Sequence, residues 1–216
     1  MKDIPRRRGR RYIDSLIAQG EHAGQDFKFA ISDARKIARS ISAFANADGG
    51  HLLIGVKDNG VVAGVRNEED IYVVEQAAER YCSPAVEVEF TAFSYDTNVA
   101  VIRAMIPEAN QRPVRCQEPD GTWRAYFRVH DENIVAHPLM VRAWLAPAAN
   151  FALTDEVSRL LEFIDTCADG TEVPEIARAL SLSARRSEEL IVSLAAAGIL
   201  TFTYRAPRFR IFRKNQ

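Results

Sequence analysis

The chain has little that would tie it to an oxidising compartment, a metal cluster or a membrane. Only three of its 216 residues are cysteine: Cys82, Cys116 and Cys167. They lie far apart, form no C-x-x-C pair and have no histidine cluster nearby, so neither a zinc site nor a disulfide framework is suggested. A reducing compartment fits best. No run approaches the about eighteen apolar residues of a membrane span, and the start MKDIPRRRGRRY has no apolar core of signal-peptide length. A cytoplasmic protein with no membrane partner is therefore expected. The phosphate-cradling string G-x-x-x-x-G-K-[ST] is missing as well. Gly49-Gly50 and Gly55 read more simply as a helix end and a tight-packing position.

What is present is ordinary globular material, 47% hydrophobic and 26% charged, enough for one large domain and one small one. The net charge of -1 conceals local asymmetry. Residues 1–11 carry Lys2, Arg6, Arg7, Arg8, Arg10 and Arg11 against Asp3 alone, and every charged residue after Glu189 is Arg or Lys. Residues 1–11 read as a basic N-terminal arm, and basic ends of this kind attract phosphate backbones.

In residues 33–47, Ile37, Ile41 and Phe44 recur at helical spacing, and the helix stops at Asp48-Gly49-Gly50. HLLIGV follows as a buried strand, and Lys57-Asp58-Asn59-Gly60 leads into VVAGV as a hairpin. Upstream, QDFKFA alternates, so that Phe27 and Phe29 face the core while Asp26 and Lys28 share the other face. A second helix, EEDIYVVEQAAERYC, precedes two long strands joined at Asp96-Thr97-Asn98 and a further pair ending in WRAYFRV. The expected fold is α/β (α+β), a mixed and mainly antiparallel sheet with flanking helices over residues 12–147, closed by a helix at 137–145. A linker is placed at 148–154, where Pro147 and Ala148-Ala149-Asn150 break the pattern.

From Asp155 to the end at 216 the reading changes to three helices and two strands, the order of a winged helix-turn-helix. Ser181 or Ser183 caps the third helix, whose Leu190, Ile191 and Leu194 form its buried stripe. Arg185 and Arg186 lie on the polar side of that helix beside Glu188 and Glu189, so base reading by it is not secured. The wing offers Arg205, Arg208, Arg210, Arg213 and Lys214 uninterrupted by any acid. Dimerisation or interdomain propping is the competing role for this module. A homodimer is the natural expectation for a regulator reading paired half-sites.

The strings E-x-x-x-x-D-F-K at 21–28, A-F-A-N-A-D-G-G at 43–50, L-L-I-G-V-K-D-N-G-V-V-A-G-V at 52–65 and A-Y-F-R-V at 125–129 together resemble the Schlafen AlbA-like domain. The resemblance spans about two-thirds of the chain, and bacterial members commonly add a C-terminal winged helix. It implies a nucleic-acid-binding protein, DNA or RNA, of transcription-regulator type. In vertebrate Schlafen ribonucleases an acidic trio supports metal-dependent RNA cleavage, and the matching positions here are Glu21, Asp26 and Asp58, with Mg or Mn as the implied ion. Aspartate at 26 departs from the usual glutamate, and the duplicated half of the vertebrate enzyme is missing, which a homodimer would have to replace. The same family carries an ATP-binding label by its likeness to a divergent ATPase group. Lys28, Arg115 and Arg128 are candidates to line a phosphate-holding groove, and Trp123 and Tyr126 to stack on unpaired bases. His22, His51, His130 and His137 are scattered and read as surface or capping residues.

Overall fold

The computed structural model describes residues 4–65, 69–147 and 153–214. Lys2 of the expected basic arm and most of the expected linker, residues 148–152, lie outside the described residues. The chain divides into two compact units, Met1–Ala136 and His137–Gln216. Seven helices among the described residues and mainly antiparallel sheets make it a mixed α/β protein.

The first unit runs β1 (Arg6–Arg8), α1 (Arg10–Ile17), β2 (Gln25–Lys28), α2 (Ala34–Ala45), β3 (Gly50–Ile54), α3 (Glu69–Arg80), β4 (Cys82–Ser83), β5 (Glu89–Asp96), β6 (Val99–Ile106), β7 (Arg115–Gln117), β8 (Trp123–Val129) and β9 (Glu132–Val135). Five strands form one sheet in the order β1-β5-β6-β3-β2, with β1 parallel to β5 and β2 parallel to β3. A second sheet, β4-β7-β8-β9, is antiparallel throughout. The basic start is therefore not a free arm. Arg6–Arg8 pairs with Ala92–Ser94 and Arg10 opens a helix, so its backbone groups are taken up in regular structure while the strand side chains stay exposed.

Period-two alternation in β3 builds a core on each face of the large sheet. Leu52 and Ile54 join Ile37, Ile41 and Phe44 of α2, whereas Leu53 joins Phe27, Ile13 and Leu16 on the face covered by α1. Fully burying a side chain of this size contributes about 1.5–3 kcal/mol. Helix α2 starts at Asp33, whose carboxylate accepts from the N–H groups of Arg35 and Lys36 at 3.0 and 3.3 Å. It ends before Gly49, which takes φ +76 and lies so close to Ile106 O that a Cβ would stand 2.9 Å away.

Near its C-terminus α2 carries two fully or almost fully buried polar residues that grip the second sheet. Asn46 donates to the carbonyls of Val114 and Tyr126 at 2.8 and 2.9 Å and accepts from Val114 N–H at 2.8 Å. Ser42 accepts from Tyr126 N–H at 3.0 Å. This side chain to backbone clamp explains why an asparagine sits in the A-F-A-N-A-D-G-G string: buried backbone groups of Val114, just before β7, and of Tyr126 in β8 find their partners there.

The turn at Lys57–Gly60 closes with Gly60 N–H donating to Lys57 O at 2.7 Å, but the return segment is not a strand. Only Val56 and Val62 bridge; Ala63 and Gly64 both donate to Gly55 O at 2.9 Å. Phe27 is buried as expected, whereas Phe29 falls past the end of β2, half-buried, with Lys57 Nζ 5.4 Å from its ring.

The second unit holds α4 (Pro138–Leu145), α5 (Asp155–Thr166), α6 (Val173–Leu180), α7 (Ala184–Ala196), β10 (Leu200–Arg205) and β11 (Arg208–Arg213). Helix α4, the expected closing helix of the larger domain, packs on α7 instead, through buried Leu139, Met140 and Ala143 and an Arg142–Glu188 ion pair at 2.6 Å. Ser183 caps α7 by accepting from Arg186 N–H, and Ser181 ends α6 with φ +56. Strands β10 and β11 form an antiparallel ribbon, and Thr171 adds a short bridge to Ile211.

Candidate nucleic-acid interface

On edge strand β2 the pleat sends Phe27 into the α1 core and leaves Asp26 and Lys28 on the α2 side. There β2, the first turns of α2 and the β8–β9 hairpin surround a cavity of about 540 Å³. Lys36, Arg39 and Ser40 reach it together because residues three and four apart share one face of a helix. Lys28 and Arg128 complete a set of four cations, set against Asp26, Asp33 and Asp131. Asp33 is engaged as the α2 cap, and Lys36 makes no ion pair among the described residues.

Arg128 is the floor of this cavity rather than a mobile contact. Its side chain is 1% exposed, with Cζ 4.8 Å from the Phe44 ring. It donates to Asn133 Oδ1 at 2.8 Å and to the carbonyls of Gln25 and His22 at 3.3 and 3.4 Å, and it stands 3.8 Å from Asp26. Its Nε is buried without a hydrogen-bond partner. Burial pulls this guanidinium below its ordinary range. Asp26, also buried, takes its closest cation from Lys28 at 2.8 Å. Asn133 in turn donates to Ser40 Oγ at 3.0 Å, linking the hairpin to the helix.

Arg39 is fixed from behind. Its guanidinium forks onto Glu118, a buried carboxylate that also accepts from Tyr126 Oη at 2.8 Å. The Arg39 contact holds the Glu118 carboxyl below its usual range, while burial and then Glu118 push the Tyr126 phenol up to about 12. Tyr126 is thus a buried strut, 7% exposed, and not the base-stacking ring expected of it. Trp123 is 42% exposed on β8 and Arg115 lies on β7; neither lines the cavity. Lys36, Arg39, Glu118 and Asn133 escaped the sequence reading, although Asp33-x-x-Lys36-x-x-Arg39-Ser40 carries the one-face spacing that could have found the helical members.

The acidic trio is not gathered into a metal site. Glu21 accepts from Phe27 N–H at 2.9 Å, and burial, with Asp26 nearby, raises its carboxyl. Asp58 stands exposed in the turn beyond β3, past the register where Lys28 meets Ile54. Among the described residues no three His, Cys, Asp or Glu side chains are arranged to hold a metal ion. With Asp26 bound to Lys28 and Arg128, the residues do not fit the Mg or Mn that the resemblance implied. Of the histidines, His51 packs against Gln25 at 2.8 Å and is held down to about 4, chiefly by burial and then by Arg103. His22 accepts from Gly24 N–H, His137 caps α4, and His130 sits at φ +53 between β8 and β9.

In the second unit every wing arginine named from the sequence meets an acid of α5, α6 or the turn between them. Arg205 pairs with Asp169 at 3.0 Å, Arg208 with Glu172 at 3.4 Å, Arg210 with Glu175 at 3.3 Å and Arg213 with Asp165 at 2.5 Å. On α7, Arg185 pairs with Glu189 at 3.1 Å and Arg186 with Glu156 at 2.5 Å. A cavity of about 550 Å³ there is lined by His137, Phe202 and Phe209, and its arginines are matched by Glu172 and Glu188 in the same way. The positive charge that these four arginines bring to the tail in sequence is met in space by acids of the same unit.

A two-sheet α/β unit whose cation-bearing cavity is framed by the E-x-x-x-x-D-F-K strand, the A-F-A-N-A-D-G-G helix and the A-Y-F-R-V strand is the class of protein defined here. The family model described as Schlafen, AlbA_2 matches residues 21–137, and the chain belongs to that family. Membership associates it with nucleic-acid-related function. No curated protein matches it. Among solved structures it is similar to the DIP2311 protein from Corynebacterium diphtheriae, at 17% identity and a TM-score of 0.44, over 78% of this chain and 36% of that one. The chain thus spans about a third of that structure's length. No helix among the described residues is long and apolar enough to cross a membrane.

Proposed function

We propose that the chain binds nucleic acid, with the first unit's cavity taking an unpaired stretch or end of a strand, and the second unit serving as a winged-helix module of a dimeric transcriptional regulator. The observation that carries the proposal is the convergence of Lys28, Lys36, Arg39 and Arg128 on one cavity of about 540 Å³. That volume suits a nucleotide unit. Lys36 makes no ion pair among the described residues, whereas Lys28, Arg39 and Arg128 are held in place by Asp26 and Glu118, carboxylates with which a phosphate would compete for them. Three helices followed by a ribbon support the winged-helix reading. The matched charges on that ribbon argue that it contributes less to affinity than the bare sequence implies.

The test is retention of labelled single-stranded RNA, transfer RNA and duplex DNA by the full chain across a salt series. Salt-sensitive binding is expected, weakened about tenfold by Lys36→Ala with Arg39→Ala, and changed little by Arg208→Ala with Arg210→Ala. The reverse ranking would move the interface to the ribbon. No retention at any salt would sink the proposal.

A further inference from the structure

The three cysteines are dispersed in the sequence, yet strand register sets two of them face to face. Cys82 of β4 is the direct partner of Cys116 of β7, as Ser83 is of Arg115. One step back along the ladder, Gln117 N–H donates to Tyr81 O at 2.9 Å. Hydrogen-bonded and non-hydrogen-bonded pairs alternate in an antiparallel ladder, so Cys82 and Cys116 form a non-hydrogen-bonded pair. Such pairs bring Cα atoms to about 4.5 Å with both side chains on one face, inside the roughly 4.4–6.8 Å that a disulfide spans. Both thiols point into the core beside α2. Cys82 Sγ donates to Ala38 O at 3.7 Å and Cys116 Sγ to Glu118 Oε1 at 3.7 Å. Rotation about χ1 would exchange these two weak contacts for a covalent bond.

We propose that Cys82 and Cys116 are the site of a reversible intrachain disulfide, with a low-molecular-weight disulfide such as oxidised glutathione as oxidant. One cysteine thiolate attacks glutathione disulfide and expels a glutathione thiolate, which takes up a proton. The other cysteine then displaces the second glutathione, so two protein thiols are oxidised to one S–S bond and one disulfide is reduced to two thiols. Entry is slow in the closed structure, because burial pushes the Cys116 thiol up to about 12 and the Cys82 thiol higher still. The two-residue β4 lies at the sheet edge, and its separation from β7 opens the way. Cys167 is in the other unit, half-buried, with no cysteine opposite. The bond would lie two residues from Glu118, the carboxylate that holds Arg39 at the cavity; its formation does not depend on what that cavity binds.

The full chain is refolded from urea in a glutathione redox buffer, its free thiols are alkylated with N-ethylmaleimide, and its peptides are mapped by mass spectrometry. The expected product carries a Cys82–Cys116 link with Cys167 alkylated or glutathionylated. Closing a loop of about 35 residues should raise the melting midpoint of the first unit by about 10 °C, reversed by dithiothreitol. Cys116→Ser should melt alike in oxidised and reduced buffer, and Cys82→Ala gives the same control if the serine variant does not fold. Separate adducts on Cys82 and Cys116, three alkylated cysteines, or a link to Cys167 would each overturn the proposal.

Discussion

Replacing Arg128 by alanine removes the guanidinium under which Asp26 is buried and one of the two donors to each of the Gln25 and His22 carbonyls, which keep each other's backbone N–H. Breaking a buried pair by taking one partner costs about 3–5 kcal/mol; because Asp26 keeps Lys28 at 2.8 Å, urea denaturation of Arg128→Ala should show a loss at the lower end of that range. Arg128→Lys should recover little, since a single ammonium cannot span Asn133 and two carbonyls at once. His51 gives a second residue-scale expectation. Its folded value near 4 lies below the ordinary 6.5, so the unfolded chain binds the extra proton first as the pH falls. Stability is therefore full above about pH 6.5 and declines toward pH 4, by up to about 3 kcal/mol for this group. The measurement is the urea midpoint at several pH values; His51→Gln should flatten that part of the profile.

At the scale of elements, Gly55 and Gly64 approach closely just beyond the end of β3. Gly55 takes φ +94, and a Cβ there would stand 2.8 Å from Gly64 C. Gly55→Ala should cost more than about 2 kcal/mol in thermal or chemical unfolding, combining left-handed strain with backbone collision. The ribbon of β10 and β11 gives an opposite kind of expectation. Glu172→Gln with Glu175→Gln releases Arg208 and Arg210 and should strengthen retention of duplex DNA several-fold at low salt, an effect that vanishes at high salt. Most elements are legible in the sequence: helical spacing marks α2 and α7, alternation marks β2, and the segments of α3, α5, α6, β3, β5 and β6 read as helices and strands. Sequence order cannot show which distant acid meets which arginine. Asp165, Asp169 and Glu172 precede their partner arginines by 48, 36 and 36 positions, and only the folded α5–α6 turn brings them together. Likewise Glu118 behind Arg39 is separated from it by 79 positions. The Schlafen-type motifs gave the cavity's frame, while its working side chains on α2 depended on where the β8–β9 hairpin lands.

Taken whole, the molecule is two units with separate cores, and the division falls before His137. A fragment starting at His137 retains Leu139, Met140 and Ala143 against α7, whereas one starting at Leu153 exposes the surface they cover. Circular dichroism should show cooperative melting of the longer fragment and a midpoint lower by at least 10 °C, or no transition, in the shorter. The placement of Arg6, Arg7 and Arg8 on the outermost strand of the five-stranded sheet acts at this scale too. An outer strand with free N–H and C=O groups is a template on which another chain can grow. Here that margin carries three successive exposed guanidinium groups. A second molecule approaching along β1 would set arginine against arginine, so this border repels its own likeness.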